Sequence, residues 1–470
     1  MFSSYLNKQR ETLKQLVKRL REYFEYVSIL GVDTKSTQVS YSMCTPNLRD
    51  GQDTDNGFVI KMSNGKAFYE YSLDIIPDDL DSLVDKIIND LELGKEFEKD
   101  MVKTSKVDDT PMKQDFERES DFANYSNEDL INTVSRVGAL AMKAKTNEGV
   151  SVLNAVVGLS LINVSKIFVS ENRELTQHYT WVNGVVMLVM RDNQKMVLPR
   201  EGLYSHNLKD VIDGLEALIE PCETKGEKLL KATPIEPGIY DVITDPTITG
   251  LIAHEAFGHG LEMDQFVKDR AVSVHYMKDY VASPITSMRD GAAATHSVAS
   301  YFFDDDGVLA QDTQLIKDGI LMGGMCDLTS SRELGVPPTG NGRRESHTHK
   351  AYTRMTNTFI ESGKDKLEDM IKSIKHGYML FETNNGMEDP KNWQIQCVAE
   401  YGIEIVDGKL TDHYVSPVVM SGNVIDLLKS ISMVSDDFQI IGAGMCGKGY
   451  KEWVRVSDGG PALKVRVKLS

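Results

Sequence analysis

The sequence predicts an α+β protein with mainly antiparallel sheets, arranged in two domains. Amphipathic helical segments, strand-like runs joined by Asn-Gly or Asp-Gly dipeptides, and a shift in composition near residue 232 lead to this prediction. The dipeptides favour tight hairpins, which join neighbouring antiparallel strands. The N-terminal domain, residues 1–232, is expected to be mixed α/β with antiparallel hairpins. The C-terminal domain, residues 233–470, is expected to be β-rich and to carry a helix with a candidate metal site.

Helical and strand-like patterns alternate through the first half of the chain. The predicted helices cover residues 6–27, 80–93, 126–143 and 207–219, and the predicted strands lie within residues 39–73 and 151–190. Ser126 and Asp129 match a capping box, which predicts a helix start there. Hairpin turns are expected at Asn64-Gly65 and Asn183-Gly184. Residues 96–119 are highly charged without an apolar period, which predicts a surface excursion.

The second half of the chain is mostly strand-like. Asp318-Gly319 and Asp407-Gly408 predict two further hairpins. Short helices are expected near residues 366–374 and 424–431. Asp245 and Pro246 predict the start of another helix, because aspartate caps free backbone N–H groups and proline suits the first helical position.

The bulk composition excludes several classes of protein. A formal net charge of −18 argues against a nucleic-acid partner, which would require basic patches. The most apolar window, Ser151 to Val169, is interrupted by Asn154, Asn163 and Lys166, so no membrane span is expected. Five cysteines fit neither a disulfide framework nor a Cys-x-x-Cys zinc pattern. A reducing cytoplasm is therefore the expected location.

His254, Glu255 and His259 bring two imidazoles and a carboxylate together, the raw material of a metal-hydrolase site. In the common zinc-protease pattern the histidines are four residues apart and share one helix face. The spacing of five places them about 140° apart around an α-helix. They can share a metal only if the helix loosens through a π-bulge or ends early, and Gly258 would ease that change. The alternative is an ordinary amphipathic helix that carries two polar histidines.

A catalytic zinc site needs three protein ligands and an open position, so a third ligand must exist. Glu262 is one candidate, because it lies about one turn after His259. Cys446 is another, since a thiolate is a strong zinc ligand and the glycines around it allow close backbone approach. These two candidates are equally favoured by the residues alone. His347 and His349 would face one side of a strand, but such a pair is more typical of an exposed strand face.

Two polar stretches of the β-rich half contain further candidate site residues. They are Arg343, Arg344, Arg354 and Asn357. These side chains could grip a substrate backbone or orient the residues around a metal. The alternative is a cluster of surface ion pairs.

Four motifs occur in order along the second half: His254-Glu255-x-x-Gly258-His259-x-x-Glu262, Thr339-Gly-Asn-Gly-Arg343-Arg344-Glu345, Arg354-Met-Thr-Asn357-Thr and Gly444-Met-Cys446-Gly-Lys448. Together they resemble the TldD/PmbA family of metalloproteases, on the TldD-like side that retains His-Glu-x-x-x-His. The resemblance covers nearly the whole C-terminal half, and the N-terminal half is similar in layout. The stretch from His347 to Thr353 departs from the tyrosine- and proline-bearing sequence expected there.

The resemblance implies a zinc peptidase that acts on unfolded or leader peptides. It implies that His254, His259 and Cys446 hold Zn²⁺, that Glu255 is the catalytic acid/base, and that Glu262 supports the ligands. It also implies a homodimer, or a heterodimer with a PmbA/TldE-like subunit, that encloses a cavity in which the peptide binds as an added strand. The competing hypothesis is a non-catalytic binding or regulatory protein with a structural metal or none.

Overall fold

The computed structural model describes residues 1–92, 107–448 and 452–470. The described residues form sheets of nine, seven and six strands and a small two-stranded sheet. Most strand pairs are antiparallel, so the predicted α+β class is confirmed. No helix within the described ranges combines the length and the apolar character that a membrane crossing requires.

The bounds of the regular elements follow the chain order. The α-helices are α1 (Ser4–Leu20), α2 (Leu80–Glu92), α3 (Asn127–Ala141), α4 (Leu208–Gly214), α5 (Ile219–Lys231), α6 (Pro246–Leu251), α7 (Asp264–Val267), α8 (Leu328–Leu334), α9 (Leu367–Lys372) and α10 (Val424–Lys429). The strands of the nine-stranded sheet are β1 (Tyr26–Ser42), β2 (Thr45–Asp50), β3 (Asp55–Ser63), β4 (Phe68–Leu73), β5 (Met112–Glu117), β6 (Ser151–Ser170), β7 (Arg173–Arg191), β8 (Met196–Val197) and β9 (Arg200–Ser205).

The later strands form the other sheets. They are β10 (Gly238–Thr244), β11 (Met288–Asp290), β12 (Thr313–Lys317), β13 (Ile320–Leu321), β14 (Gly342–Arg343), β15 (Tyr352–Thr353), β16 (Asn357–Ile360), β17 (His376–Asp389), β18 (Gln394–Val406), β19 (Lys409–Val415), β20 (Val418–Asn423), β21 (Met433–Val434), β22 (Gln439–Lys448), β23 (Glu452–Gly460) and β24 (Leu463–Leu469). The seven-stranded sheet has the order β10-β17-β18-β20-β24-β21, with β19 beside β18. The six-stranded sheet has the order β13-β12-β11-β16-β23-β22.

The nine-stranded sheet supports two hydrophobic cores. Helices α1 and α2 pack with β1 and β3 in one of them, and α3 and α4 pack with β6 and β7 in the other. The apolar stripe of α1, which includes Leu6, Leu13 and Leu16, is fully buried, as the helical spacing predicts.

Helix α6 lies between the two sheets of the second half. It contacts β17 of the seven-stranded sheet and both β22 and β23 of the six-stranded sheet. Its apolar residues Ile248 and Leu251 join the largest core of the protein, together with Phe257 just beyond the helix. The helix that leads into the candidate metal residues is therefore held between strands of both sheets.

The predicted hairpin at Asn183-Gly184 is wrong. Both residues lie inside β7, where they pair with β6 on one side and β9 on the other. A Cβ atom on Gly184 would lie 2.6 Å from Cγ1 of Val211 and 3.0 Å from Cδ1 of Leu215. The glycine therefore serves the close approach of a helix to the strand rather than a turn. The three other predicted hairpins are confirmed, at Asn64-Gly65, Asp318-Gly319 and Asp407-Gly408.

Several predicted boundaries need correction. The first helix ends at Leu20, and Tyr26 and Val27, which the prediction placed in that helix, belong to β1. The charged stretch predicted as a surface excursion contains β5, which pairs in parallel with β7, while residues 96–106 lie outside the described residues. Helices α5, α7 and α8 were not predicted. The capping box is confirmed, because the Ser126 and Asp129 side chains each bond the backbone of the other.

Buried ion pairs join the two halves of the chain. Lys61 pairs with Asp306, and Lys166 pairs with Asp305. All strands of the nine-stranded sheet end before residue 206, and the strands of the other sheets begin at residue 238. A domain boundary between residues 232 and 233 stays a prediction.

Candidate metal centre

The helix that carries the histidines begins as the sequence predicts. The Asp245 side chain accepts a hydrogen bond from the N–H of Ile248 at 2.8 Å, and Pro246 occupies the first turn. The other carboxylate oxygen of Asp245 accepts the N–H of Glu382 on β17 at 3.1 Å. One carboxylate therefore caps α6 and ties it to the neighbouring sheet.

The helix widens where the histidines stand. Residues Ile252–Gly258 form a π-helix, and the N–H of His259 donates to the carbonyl of His254. This bond spans five residues, so the two histidines are separated by one turn of the wider helix. Their ring centroids lie 5.0 Å apart with planes at 89°. The π-helix provides the loosening that a five-residue spacing requires.

Gly258 contributes space rather than an unusual backbone conformation. Its φ of −59° and ψ of −56° are helical. A Cβ atom at this position would lie 2.2 Å from Sδ of Met355 and 3.1 Å from the carbonyl oxygen of Ala253. The glycine therefore lets the π-helix pack against Met355.

The structure brings Cys446 to the two histidines. Cys446 lies on β22, and its Sγ is 3.5 Å from Nε2 of His259. One ligand atom from each of His254, His259 and Cys446 falls within 4.8 Å of the others. His254 and Cys446 are each only 4% exposed. Of the two third-ligand candidates, the thiol is the one that joins this group.

The electrostatics of the group favour a thiolate. Burial alone would raise the pKa of Cys446, but the adjacent imidazoles of His259 and His254 hold that pKa well below its usual value. Burial alone would lower the pKa of His259, but Cys446 and Glu262 raise that pKa well above its usual value. The thiolate and the imidazoles therefore stabilise one another in their charged forms, and the imidazoles must release their protons in order to bind a metal.

The donor set fits zinc. Zinc takes thiolate sulfur at about 2.3 Å and imidazole nitrogen at about 2.1 Å, which places tetrahedral sulfur and nitrogen ligands about 3.6 Å apart. The separation of 3.5 Å between Sγ of Cys446 and Nε2 of His259 matches that value. Two neutral nitrogen donors and one thiolate leave a fourth position free, as catalytic zinc sites require. His254, His259 and Cys446 are therefore the residues that would hold the ion.

Glu255 lies beside this cluster without belonging to it. Its Oε2 is 4.0 Å from Nε2 of His259. A Cβ atom on Gly386 of β17 would lie 2.6 Å from Cγ of Glu255, so the strand confines the glutamate side chain. Glu255 lines the same cavity as the two histidines and the cysteine. Its carboxylate therefore lies in the same space as the His254, His259 and Cys446 side chains.

Glu262 contacts the side of the His259 ring that faces away from Cys446. Its Oε2 lies 3.2 Å from Nδ1 of His259 and 3.1 Å from Nζ of Lys448. Burial alone would raise the pKa of Glu262, but Lys448 and His259 hold that pKa far below its usual value. A carboxylate bonded to the remote nitrogen of a metal-binding histidine fixes the ring and its tautomer. Glu262 thus supports His259 and does not join the ligand group.

Arg354 fixes the strand that carries the cysteine. Its guanidinium donates to the carbonyl oxygens of Cys446 and Glu452, each at 2.7 Å. Its Nε lies 3.7 Å from Oε1 of Glu262. Arg354 is 1% exposed, so it orients the residues around the cluster and does not reach into the cavity.

The other predicted polar residues hold the scaffold elsewhere. Arg343 donates to the carbonyl oxygens of Met355 and Arg455, both at 2.6 Å. The amide of Asn357 donates to the carbonyl oxygen of Gly291 at 3.0 Å. Arg344 pairs with Glu70 of the N-terminal half at 3.1 Å. Arg343, Arg344 and Asn357 are absent from the cavity lining that the described residues define.

The prediction of an exposed strand face at His347 and His349 is wrong. Both residues lie in a turn, and His347 is buried between Asp55 and Asp74 of the N-terminal half. Its Nδ1 lies 2.6 Å from Asp55 and its Nε2 2.9 Å from Asp74. Burial opposes protonation of His347, but these two carboxylates raise its pKa. His347 therefore helps to join the two halves.

The cavity is large enough for an extended peptide segment. Its volume is about 1340 Å³. Strands β7 and β9 of the N-terminal half contribute Val185, Arg200 and Tyr204 to one wall. The π-helix, β17 and β22 form the rest, so both halves of the chain shape the space around the candidate metal centre.

The sequence analysis missed two groups at this site. Lys448 was quoted within a motif, but its role was not predicted. Asp458 of β23 lies behind His254, with 3.9 Å between its Oδ2 and Nδ1 of the ring. Burial raises the pKa of Asp458 to about 6. The order of motifs gives no distance between residues almost two hundred positions apart, so only the signature around Cys446 could have directed attention to Lys448.

Replacing Lys448 with methionine is expected to weaken zinc binding by about 10- to 100-fold, the usual cost of losing a supporting partner. Nζ of Lys448 bonds Asp264 at 2.7 Å and the carbonyl of Thr353 at 2.9 Å, so it anchors Glu262 from behind. Competition with a chromophoric chelator measures the affinity. The matched control is Lys409→Met, because Lys409 is exposed on β19. Equal zinc affinity of the two variants would contradict the supporting role.

Fold and donor set together define an α+β protein with a candidate mononuclear metal centre on a π-helix. Residues 237–469 match the family described as PmbA/TldA metallopeptidase C-terminal domain. A Haemophilus influenzae protein named metalloprotease TldD homolog is 35% identical over 260 residues, covering 54% of this chain and 54% of that protein. The chain belongs to the TldD/PmbA family, as its four motifs indicated.

Two further similarities complete the comparison. A Saccharolobus solfataricus protein named zinc metalloprotease TldD homolog is 29% identical over 300 residues, covering 63% of this chain and 66% of that protein. The chain thus spans 54% to 66% of the length of these curated relatives. The crystal structure of TldE from Thermococcus kodakarensis aligns with a TM-score of 0.75 at 17% identity, covering 97% of this chain and 99% of that one. At that identity the likeness establishes the fold alone.

Proposed function

We propose that this protein is a zinc-dependent peptidase. The observation that carries the proposal is the convergence of His254, His259 and Cys446 beside Glu255 in one cavity. Further support comes from the curated relatives, which are named metalloproteases and, in one case, a zinc metalloprotease. The substrate class we propose is unfolded or leader peptides, because the cavity admits an extended chain more readily than a folded domain.

In the proposed hydrolysis, different residues of the chain have different roles. When bound, zinc supplies Lewis acidity, which polarises a carbonyl and makes water nucleophilic near neutral pH. Glu255 would take a proton from the attacking water and return it to the nitrogen of the leaving amine. Glu262 would keep His259 in the tautomer whose Nε2 faces the cluster, and Arg354 would hold the backbone of Cys446 in place.

The peptide would bind as an added strand along β22. Among the described residues β22 pairs only with β23, so its other edge has no strand partner, while the carbonyl oxygen of Cys446 itself accepts from Arg354. Strand addition supplies affinity through main-chain hydrogen bonds and requires an unfolded substrate. This geometry suits peptides of varied sequence.

A paired subunit would close the cavity. We propose a homodimer or a heterodimer with a PmbA/TldE-like chain, in line with the TldE fold that this protein shares. We also propose a cytoplasmic location, because all five cysteines are free and a reducing compartment preserves the thiolate that the site requires.

Removal of the metal tests the proposal. Purified protein is expected to contain about one zinc per chain and to cleave a mixture of short unstructured peptides. Dialysis against a chelator should abolish cleavage, and added zinc should restore it. Elemental analysis and mass spectrometry of the products provide the measurements. Zinc retention with no peptide cleaved, alone or with a PmbA/TldE-like subunit, would instead favour a binding protein with a structural metal.

A further inference from the structure

His254 lacks the partner that His259 has. Glu262 lies 3.2 Å from Nδ1 of His259, whereas Nδ1 of His254 is buried and has no hydrogen-bond partner among the described residues. A histidine that binds zinc through one ring nitrogen almost always donates a hydrogen bond from the other nitrogen, often to a carboxylate. Because buried polar atoms rarely stay unpaired, a partner for Nδ1 of His254 is expected nearby.

The carboxylate of Asp458 lies close to this nitrogen. The separation between Oδ2 of Asp458 and Nδ1 of His254 is 3.9 Å. A hydrogen bond requires about 3 Å, so the two atoms stand about 1 Å outside bonding distance. Hydrogen bonds at catalytic centres are often long before a ligand binds and shorten once it is bound. A small shift of either side chain would bring Asp458 and His254 into contact.

The six-stranded sheet directs Asp458 to the same side as Cys446. Cys446 on β22 pairs with Val454 on β23, so their side chains lie on one face of the sheet. Side chains alternate along a strand, so Asp458, four residues after Val454, projects from that face as well. The π-helix packs on this face, because His259 meets Cys446 there and His254 approaches Asp458. Both strand residues therefore face the helix that carries the histidines.

A glycine provides the space for Asp458. Gly250 precedes His254 by four residues, which is about one helical turn. A Cβ atom on Gly250 would lie 2.6 Å from Oδ1 of Asp458 and 2.5 Å from the backbone nitrogen of Gly459. A side chain at this position would therefore separate α6 from β23 and displace the carboxylate. The bare glycine lets Asp458 lie beneath the turn from which His254 projects.

The carboxylate of Asp458 has no competing partner. Within the described residues its side chain makes no hydrogen bond, and its only close basic neighbour is His254. The side chain is 22% exposed, so it is partly removed from water. Burial raises the pKa of Asp458, and the charge of His254 opposes that rise. A hydrogen bond from Nδ1 would stabilise the carboxylate, so both groups gain from the same contact.

We propose that Asp458 is a positioning residue of the metal centre, which accepts a hydrogen bond from Nδ1 of His254 and so directs Nε2 of the ring toward the metal. The proposal rests on the zinc site of the proposed function but does not depend on peptide cleavage. Each zinc-binding histidine would then have a carboxylate behind it, as Glu262 already provides for His259. Asp458 is not one of the three residues whose ligand atoms lie within 4.8 Å of one another, so it supports the ligands without joining them.

Zinc affinity tests the proposal directly. Asp458→Leu removes the acceptor and is expected to weaken zinc binding by about 10- to 100-fold, the usual cost of losing a partner of a ligand. Asp458→Asn keeps an oxygen acceptor without the charge, so its loss of affinity should be smaller. Competition with a chromophoric chelator measures both variants. The matched controls are Asp412→Leu and Asp412→Asn, because Asp412 is exposed on β19 and its variants should keep wild-type affinity.

A spectroscopic measurement separates positioning from a general effect on the fold. Nuclear magnetic resonance is recorded on zinc-loaded protein with ¹⁵N-labelled histidine rings. Two slowly exchanging Nδ1–H signals are expected from this site, one from His254 and one from His259, because a carboxylate accepts each proton. Asp458→Leu should lose or shift only the His254 signal, Asp458→Asn should shift it less, and Glu262→Gln identifies the His259 signal. Circular dichroism checks that each variant is folded.

The outcomes separate the positioning role from the peptidase function. Equal zinc affinity of Asp458→Leu and Asp412→Leu overturns the role of Asp458, since Nδ1 of His254 must then bond another group, such as water. Weaker zinc binding with an unchanged His254 signal also overturns it, because Asp458 would then act through the fold and not through the ring. Weaker binding with the signal lost supports the role, and if the wild-type protein cleaves no peptide, the peptidase function alone is contradicted.

Discussion

Replacing Glu255 with glutamine is expected to lower the rate of peptide cleavage by about 10²- to 10⁴-fold, the usual contribution of a general acid–base. Glutamine keeps the size and the polarity of the side chain but cannot accept and return a proton. Glu255 lies 4.0 Å from His259 and outside the ligand group, so zinc content should stay at the wild-type value. Steady-state kinetics on a short peptide and elemental analysis of the same sample provide the two measurements.

The experiment is informative because it measures peptide cleavage and zinc content separately. Glu148→Gln is the matched control, because Glu148 is exposed in a loop before β6 and should leave both values unchanged. If Glu255→Gln loses zinc along with activity, Glu255 supports the cluster and is not the acid–base group. If it keeps full activity, another residue performs proton transfer.

Replacing Cys446 with serine is expected to weaken zinc binding by more than about 100-fold, since even supporting partners of zinc ligands cost 10- to 100-fold. A serine hydroxyl does not ionise near neutral pH, whereas the two imidazoles stabilise the Cys446 thiolate. Cleavage should be lost in parallel with the metal. Chelator competition and peptide kinetics measure the two effects.

The control for this variant is Cys44→Ser, because Cys44 is exposed in the turn between β1 and β2. It should retain wild-type zinc affinity and activity. A Cys446→Ser protein that binds zinc as tightly as the control would show that the metal, if present, is held by other residues.

Local chemistry accounts for what the sequence predicted correctly about the site. The His254 and His259 spacing required a wider helix, and hydrogen bonding from His259 to His254 provides it. The start of that helix at Asp245 followed from capping preferences. These features depend on residues within one or two turns of one another, where sequence distance and spatial distance still agree.

The residues alone could not predict which distant side chains come together at the site. Spacing left Glu262 and Cys446 equal as third ligand, and the family resemblance favoured the cysteine before its position was known. The structure places Glu262 behind His259 because Lys448 and Arg354 draw its carboxylate away from the ligand group. Such competition between buried charges depends on which strands are neighbours in the fold. The spacing of apolar residues along the sequence does not indicate which strands these are.

The errors in the fold have a related cause. Asn183-Gly184 is a strong hairpin signal, but Val211 and Leu215 of the next helix region require a residue without a side chain at that point in β7. His347 was assigned to an exposed strand face because its carboxylate partners, Asp55 and Asp74, are almost three hundred residues earlier. A local sequence pattern is therefore ambiguous at a position where contact with a distant segment determines which residue is required.

The buried ion pairs between the halves limit how this protein can be divided or recombined. A fragment that begins at residue 233 would keep Asp305 and Asp306 but lose Lys166 and Lys61, their cationic partners. In a full-length chimera whose first half lacks one of these lysines, the matching aspartate would instead stay buried without its partner, which costs about 3–5 kcal/mol for each broken pair. Exchange of N-terminal halves between relatives would therefore succeed only when the new half also provides lysines that pair with these two aspartates. The second half of the chain therefore depends on the first for charge neutralisation, even though every proposed zinc ligand lies within the second half.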